Sequence, residues 1–258
     1  MQYNNSPIGV FDSGVGGISV LAELASVLPN EDFLYLGDSK NAPYGTRTDE
    51  EILNLSEACV KTLIEKNVKA IVIACNTATS VAAEYLREKY KNIPVIGIEP
   101  AVKPAAEYRE NSKILVMATP VTLKKEKFIN LIENVNNNEV IPLPCAGLVE
   151  LIEQGKTDGE EMEEFLNRLL CPYFKEEITS VVLGCTHYPF VREQIKKAFP
   201  YEVKIFDGGY GTACETKRRI ERNDPKNKGR ITILNSDEDI KKIELSKLLF
   251  ENYLYKVR

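Results

Sequence analysis

Short, uninterrupted apolar runs alternate with longer stretches of helical periodicity along almost the whole chain. Pro7 to Asp12, Asp32 to Gly37, Ala70 to Ile73, Pro94 to Ile98 and Lys113 to Ala118 read as strands. Glu139 to Leu143, Ser180 to Leu183, Val203 to Phe206 and Arg230 to Leu234 read the same way. Apolar residues at successive positions, rather than at every second one, predict strands buried on both faces, as in a parallel sheet. Helical spacing runs from Ile18 to Leu28, then through a long helix opened by Thr48 and Glu51 in capping-box spacing, then from Thr77 to Tyr90 and from Thr122 to Asn134. It returns over Ala146 to Gln154, Asp158 to Phe174, Tyr188 to Phe199, Thr212 to Arg222 and Asp237 to Phe250. Such alternation predicts an α/β fold built on parallel sheets with helices on both faces.

Two of these strands end alike. Ala70 to Ile73 leads into Ala74-Cys75-Asn76-Thr77-Ala78-Thr79, and Ser180 to Leu183 into Gly184-Cys185-Thr186-His187-Tyr188-Pro189. A cysteine at the carboxyl end of a buried parallel strand sits where open α/β sheets place their ligands. It also opens the next helix, whose free N–H groups and dipole favour a thiolate. Packing alone is a common fate of a free cysteine, but it does not account for two in matching contexts. The repeat predicts two similar parallel-sheet α/β domains that face each other with the active site between them. The first takes residues 1–98 plus 208–258, and the second residues 99–207.

Composition narrows the partners. The chain has 258 residues, 28% of them charged, and a net charge of −5, which argues against nucleic acid as the main partner. No apolar run approaches the roughly 18 residues of a membrane span. The residues from Met1 to Pro7 lack the basic and apolar regions of an export signal. The six cysteines include no C-x-x-C pair and read as reduced thiols of a cytoplasmic protein. Cys59, Cys145, Cys171 and Cys214 lack the strand-end context and read as packing residues.

Asp12-Ser13 ends the first strand and so belongs at the same sheet edge as Cys75. The glycines that follow, Gly14, Gly16 and Gly17, fail the dinucleotide fingerprint because Ser19 stands where its third glycine is needed, which argues against a nicotinamide cofactor. Either the turn receives a small anion such as a substrate carboxylate, or Asp12 merely caps the following helix. His187 is the only histidine and lies two residues past Cys185. It lacks a second ligand cluster at zinc-site spacing, so no metal is expected, and it serves better as an acid or base that tunes the thiol. Cysteine hydrolases need one nucleophile and leave the second matched cysteine without a purpose. Two thiols on opposite sides of one small ligand can instead remove a proton from one face of a carbon and return one to the other.

The Gly9-to-Gly17 segment, Gly37-Asp38 with Pro43-Tyr44-Gly45, and the two cysteine motifs, in this order, closely resemble the cofactor-independent aspartate/glutamate racemase superfamily, and within it the bacterial glutamate enzymes. The resemblance spans essentially the whole chain. It implies interconversion of L- and D-glutamate without pyridoxal phosphate or metal, in a homodimer that supplies D-glutamate for peptidoglycan. By the same resemblance Cys75 acts on the D-enantiomer with support from Asp12, and Cys185 on the L-enantiomer with support from His187. Asp12, Ser13, Tyr44, Gly45, Asn76, Thr77, Thr186 and His187 would hold the amino acid, with Thr119 and Thr122 as additions. Glu153, in Leu151-Ile152-Glu153-Gln154-Gly155, matches a further segment and would support the site.

Overall fold

The computed structural model describes residues 4–133, 135, 137–221, 223–237 and 240–257, with 256 and 257 described by their backbone alone. Residues 1–3 and 258, the expected helix ends at Asn134 and Arg222, and Glu238 and Asp239 of the last expected helix lie outside the described residues. In chain order the elements are β1 Ile8–Asp12, α1 Ile18–Val27, β2 Phe33–Gly37, α2 Asp49–Glu65, β3 Ala70–Ile73, α3 Asn76–Lys89, β4 Val95–Gly97 and α4 Val102–Tyr108. There follow β5 Lys113–Ala118, α5 Pro120–Lys124, α6 Glu126–Glu133, β6 Glu139–Pro144, α7 Leu148–Glu153 and α8 Glu160–Leu170. The chain continues with β7 Ile178–Gly184, α9 Arg192–Ala198, β8 Lys204–Asp207, α10 Gly209–Arg219, β9 Ile231–Asn235 and α11 Ile240–Val257.

Two parallel sheets result, ordered β4-β3-β1-β2-β9 and β6-β5-β7-β8. The inner strands β1, β3, β5 and β7, and β2 beside them, are buried on both faces, as their pattern demands, whereas β6, β8 and β9 lie at sheet edges and are only partly covered, contrary to the expectation for those three. Val10, Val72 and Ala74 enter a core shared with α1, α7, α8, α9 and the inner face of the second sheet, including Leu115 and Val181. Phe11, Ile71 and Ile73 point the other way, into a core under α2 and α3. Val116 and Val182 face a third core under α4 and α6. The capping box at Thr48 forms as its spacing predicts: Thr48 Oγ1 accepts the Glu51 N–H, and Glu51 accepts the Thr48 N–H at 2.9 Å.

Four helical expectations change. The helix α4 was hidden by Pro100 and Pro104, yet Pro104 falls in the first helical turn, where no N–H is required. The stretch from Thr122 is two helices, because Lys125 is extended (ψ 139°). After α8 the chain tightens into a 3₁₀ turn, Cys171–Glu176, with Pro172 near its start. Beyond Cys185 the first helical turn, Tyr188–Val191, is likewise 3₁₀, so Cys185 does not cap an α-helix as Cys75 does.

Candidate active site

The carboxyl ends of the two sheets meet, as doubly wound sheets require of their ligand-bearing edges. A narrow cavity lies between them, with Cys75 and Cys185 both in its wall. Ser13, Tyr44, Gly45, Asn76, Thr77, Thr119, Thr186 and His187 line it too. Asp12, Thr122 and Glu153 do not; they stand behind residues that do.

Cys75 caps α3, its sulfur accepting the Ala78 N–H at 3.4 Å and its thiol donating to Ser13 Oγ at 3.6 Å. Burial, with the nearby Asp12 charge, pushes this thiol up to about 12 despite those two contacts. The helix end therefore does not make Cys75 a thiolate, because loss of water outweighs the dipole. Asp12 does not reach the sulfur. Its oxygens accept the Gly14 N–H at 2.8 Å and the Thr186 hydroxyl at 3.0 Å, and burial raises its carboxyl above the ordinary carboxylate range.

Across the cavity His187 Nδ1 lies 3.7 Å from Cys185 Sγ, and its Nε2–H donates to Glu153 Oε1 at 2.8 Å. Burial alone would lower the imidazole, but the contacts with Cys185 and Glu153 raise it well above its ordinary value. Burial likewise pushes Glu153 up, yet His187, Lys242 and the Val15 N–H outweigh it and hold the carboxyl at about 2. His187 and Glu153 thus form a buried ion pair with every partner in place, the condition under which burying charge is tolerated.

Two N–H groups of the glycine-rich turn are committed to carboxylates of the protein itself, while Ser13, at its start, lines the cavity. Gly14 N–H goes to Asp12 and Val15 N–H to Glu153 Oε1, each at 2.8 Å, so these two are not offered to a ligand. The turn also serves close approach: a Cβ on Gly16 would stand 2.3 Å from His187 Nδ1. Ser19, the residue that breaks the dinucleotide fingerprint, donates to Thr186 O at 2.8 Å and ties α1 to the second sheet's edge. Thr77, Thr119 and Thr122 share hydroxyl contacts of 3.0 to 3.4 Å that join α3 to α5. Tyr44 is fixed by donating to the buried Asp38 at 2.6 Å.

Three contributors escaped the sequence reading. Cys145, expected only to pack, follows β6 directly and stands in the cavity wall, its thiol donating to Leu143 O at 3.3 Å. Proline at both Pro142 and Pro144 disguised that strand end. Glu150 lines the cavity as a lone acid, and among the described residues no lysine or arginine does. Lys242 donates to Glu153 Oε2 at 2.8 Å from the distant helix α11. No group of three or more His, Cys, Asp or Glu among the described residues is arranged to hold a metal ion, and no helix there is long and apolar enough to cross a membrane.

These groups set a pH window for folding. Cys59 and Cys75 are both pushed up to about 12 by burial, so the folded chain keeps protons that the unfolded chain releases above about 8.5. Their stabilisation is present below that value and lost as pH rises toward 12, by about 1.4 kcal/mol per pH unit for each thiol. The raised His187 acts in the same direction. Glu153 acts oppositely: its contribution is present above the ordinary carboxylate value and lost as pH falls toward about 2. Urea unfolding at stepped pH is expected to show stability declining on both flanks; a flat alkaline flank would count against the buried protonated thiols.

Two facing parallel sheets with paired strand-end cysteines in one cavity define a class: the chain belongs to the Asp/Glu/Hydantoin racemase family, whose profile matches residues 8–211. It is 52% identical over 257 residues to the glutamate racemase of Clostridium botulinum (strain Alaska E43 / Type E3), a match covering 98% of this chain and 100% of that protein. Among solved structures it resembles the glutamate racemase of Francisella tularensis subsp. tularensis SCHU S4 in complex with D-glutamate, at TM-score 0.82 and 33% identity over 96% of this chain and 94% of that one. It also resembles Escherichia coli glutamate racemase in complex with L-glutamate and the activator UDP-MurNAc-ala, at TM-score 0.84 and 32% identity over 96% of this chain and 95% of that one.

Proposed function

We propose that this protein interconverts L- and D-glutamate by proton transfer at Cα between Cys75 and Cys185. The observation that carries the reading is the placement of the two thiols, from opposite sheets, in the wall of one cavity. Cys185, beside the His187 imidazolium, takes the Cα proton of L-glutamate. Cys75, protonated at neutral pH, gives its own proton to the opposite face. One proton leaves the carbon and one arrives; exchange with water then resets the two sulfurs. D-glutamate runs the sequence backwards.

The Cα–H is a very weak acid, so the site has to stabilise a carbanion-like state. Hydroxyls of Ser13, Thr77, Thr119 and Thr186, with the Asn76 amide, would hold the amino acid and spread that charge without a lysine or arginine in the wall. The buried Asn76 Oδ1 lacks a protein partner and is free to accept from the substrate ammonium. Residues 1–98 with 208–258 and residues 99–207 would act as two bodies whose closure excludes water. In the cell the reading is of a cytoplasmic homodimer that supplies D-glutamate for peptidoglycan.

Chiral chromatography of the purified protein incubated with each enantiomer tests the proposal. Glutamate turnover with none on aspartate or hydantoins supports it, and the absence of glutamate turnover ends it. A monomeric mass in light scattering at micromolar concentration would remove the dimer.

A further inference from the structure

Behind His187, Glu153 is held from three directions. Its Oε1 accepts the Val15 N–H and faces His187 Nε2, each at 2.8 Å, while Oε2 accepts from Lys242 Nζ at 2.8 Å. The same ammonium donates to the Glu153 carbonyl, the last of α7, at 2.8 Å. Val15 and Lys242 belong to elements of the first sheet's side, since α11 packs on α1 and β9. Glu153 and His187 belong to the second. Lys242 is three-quarters buried by its side chain, at 25% exposure, and stands outside the cavity.

We propose that Lys242 is a positioning residue for the Cys185 half of the reaction, holding Glu153 so that the imidazole of His187 faces the Cys185 sulfur. This rests on the two-thiol reading above. An ammonium fixed to one carboxylate oxygen leaves the other oriented to His187, and the charge-assisted contacts at both ends are the strong kind. Because the ammonium arrives from the far side, the line from Lys242 through Glu153 to His187 is complete only while the two sheet edges are together.

A purely structural role, capping the end of α7, is the competing account, and side-chain choice separates the two. Lys242→Gln keeps a donor for the carbonyl but removes the charge; Lys242→Arg keeps both; Lys242→Met removes both. Lys242→Gln is expected to keep a melting temperature close to wild type and a KM within about twofold, while kcat falls about tenfold, the loss typical of one charge-assisted hydrogen bond. Lys242→Arg is expected to restore most of kcat. Enantiomers have equal energy, so kcat/KM must fall by the same factor in both directions. The isotope effects need not match: with the Cys185 transfer slowed, the primary effect on 2-deuterated L-glutamate rises and that on the D-enantiomer falls.

Wild-type kcat in Lys242→Gln, a loss in which both isotope effects move together, or equal loss in Lys242→Arg would each overturn the proposal. Should Lys242→Met alone unfold, Lys242→Gln and Lys242→Arg still decide. Active Cys75→Ser and Cys185→Ser variants would instead overturn the two-thiol reading, so the two failures are distinguishable.

Discussion

Cys75→Ser and Cys185→Ser are each expected to lower glutamate racemisation by about 10³-fold or more while leaving the fold intact. A serine hydroxyl fits the space of the thiol but is far too weak an acid to alternate as base and donor near neutral pH, and a positioned acid or base is worth about 10²–10⁴-fold. Both side chains are buried, Cys75 at 5% and Cys185 at 7% exposure, and both stand in the cavity wall, so neither substitution opens a path for bulk water to take over. The reaction run in D₂O from each enantiomer separately should place deuterium at Cα of the product for the wild type. Near-wild-type racemisation in both variants would dismiss the cysteines as bases and return the question to Asp12 and His187.

A single methyl group at Gly16 is expected to produce the next largest loss of activity. Its Cβ would lie 2.3 Å from His187 Nδ1 and 2.6 Å from Thr186 Oγ1, and both neighbours are buried and hydrogen-bonded, His187 to Glu153 and Thr186 to Asp12. Either the imidazole tilts off Cys185 or the sheet edges separate, and a misplacement of about 1 Å at a reacting group costs about 10²-fold. The strain should appear as about 1–3 kcal/mol of lost stability in urea unfolding. Gly211→Ala supplies the contrast, since open space surrounds that position in α10 and a helical glycine gives way to alanine with a gain of about 0.5–1 kcal/mol. A fully active, fully stable Gly16→Ala would mean that the two edges do not meet as described.

What the sequence made legible was whatever depends on neighbours in the chain. Burial on both faces of the inner strands, the parallel sheets implied by alternation of strand and helix, the capping box at Thr48 and the two strand-end cysteines all follow from local pattern, whereas the order of the strands does not. Nor do the thiols' surroundings. The N-terminal position of Cys75 on a helix suggested an acidic thiol, and burial reversed that, because desolvation depends on everything packed around the sulfur. Two N–H groups of the glycine turn go to carboxylates of the protein, Asp12 from the end of β1 and Glu153 from the end of α7, and the second of these no local pattern could show. Lys242 was invisible: a lysine on an amphipathic helix looks like any solvated one until the fold brings Glu153 beneath it.

The fifth strand of the first sheet, β9, pairs in parallel with β2, Phe33 opposite Ile231, although the whole second sheet intervenes in the sequence. During synthesis, then, β1 to β4 emerge from the ribosome with an open edge at β2 and wait while the second sheet is made. The same delay holds for Lys242, which follows β9. Nascent chains short of this point carry both cysteines but not the lysine behind His187, so catalytic competence should arrive late in translation, as a last step of assembly and not a gradual gain.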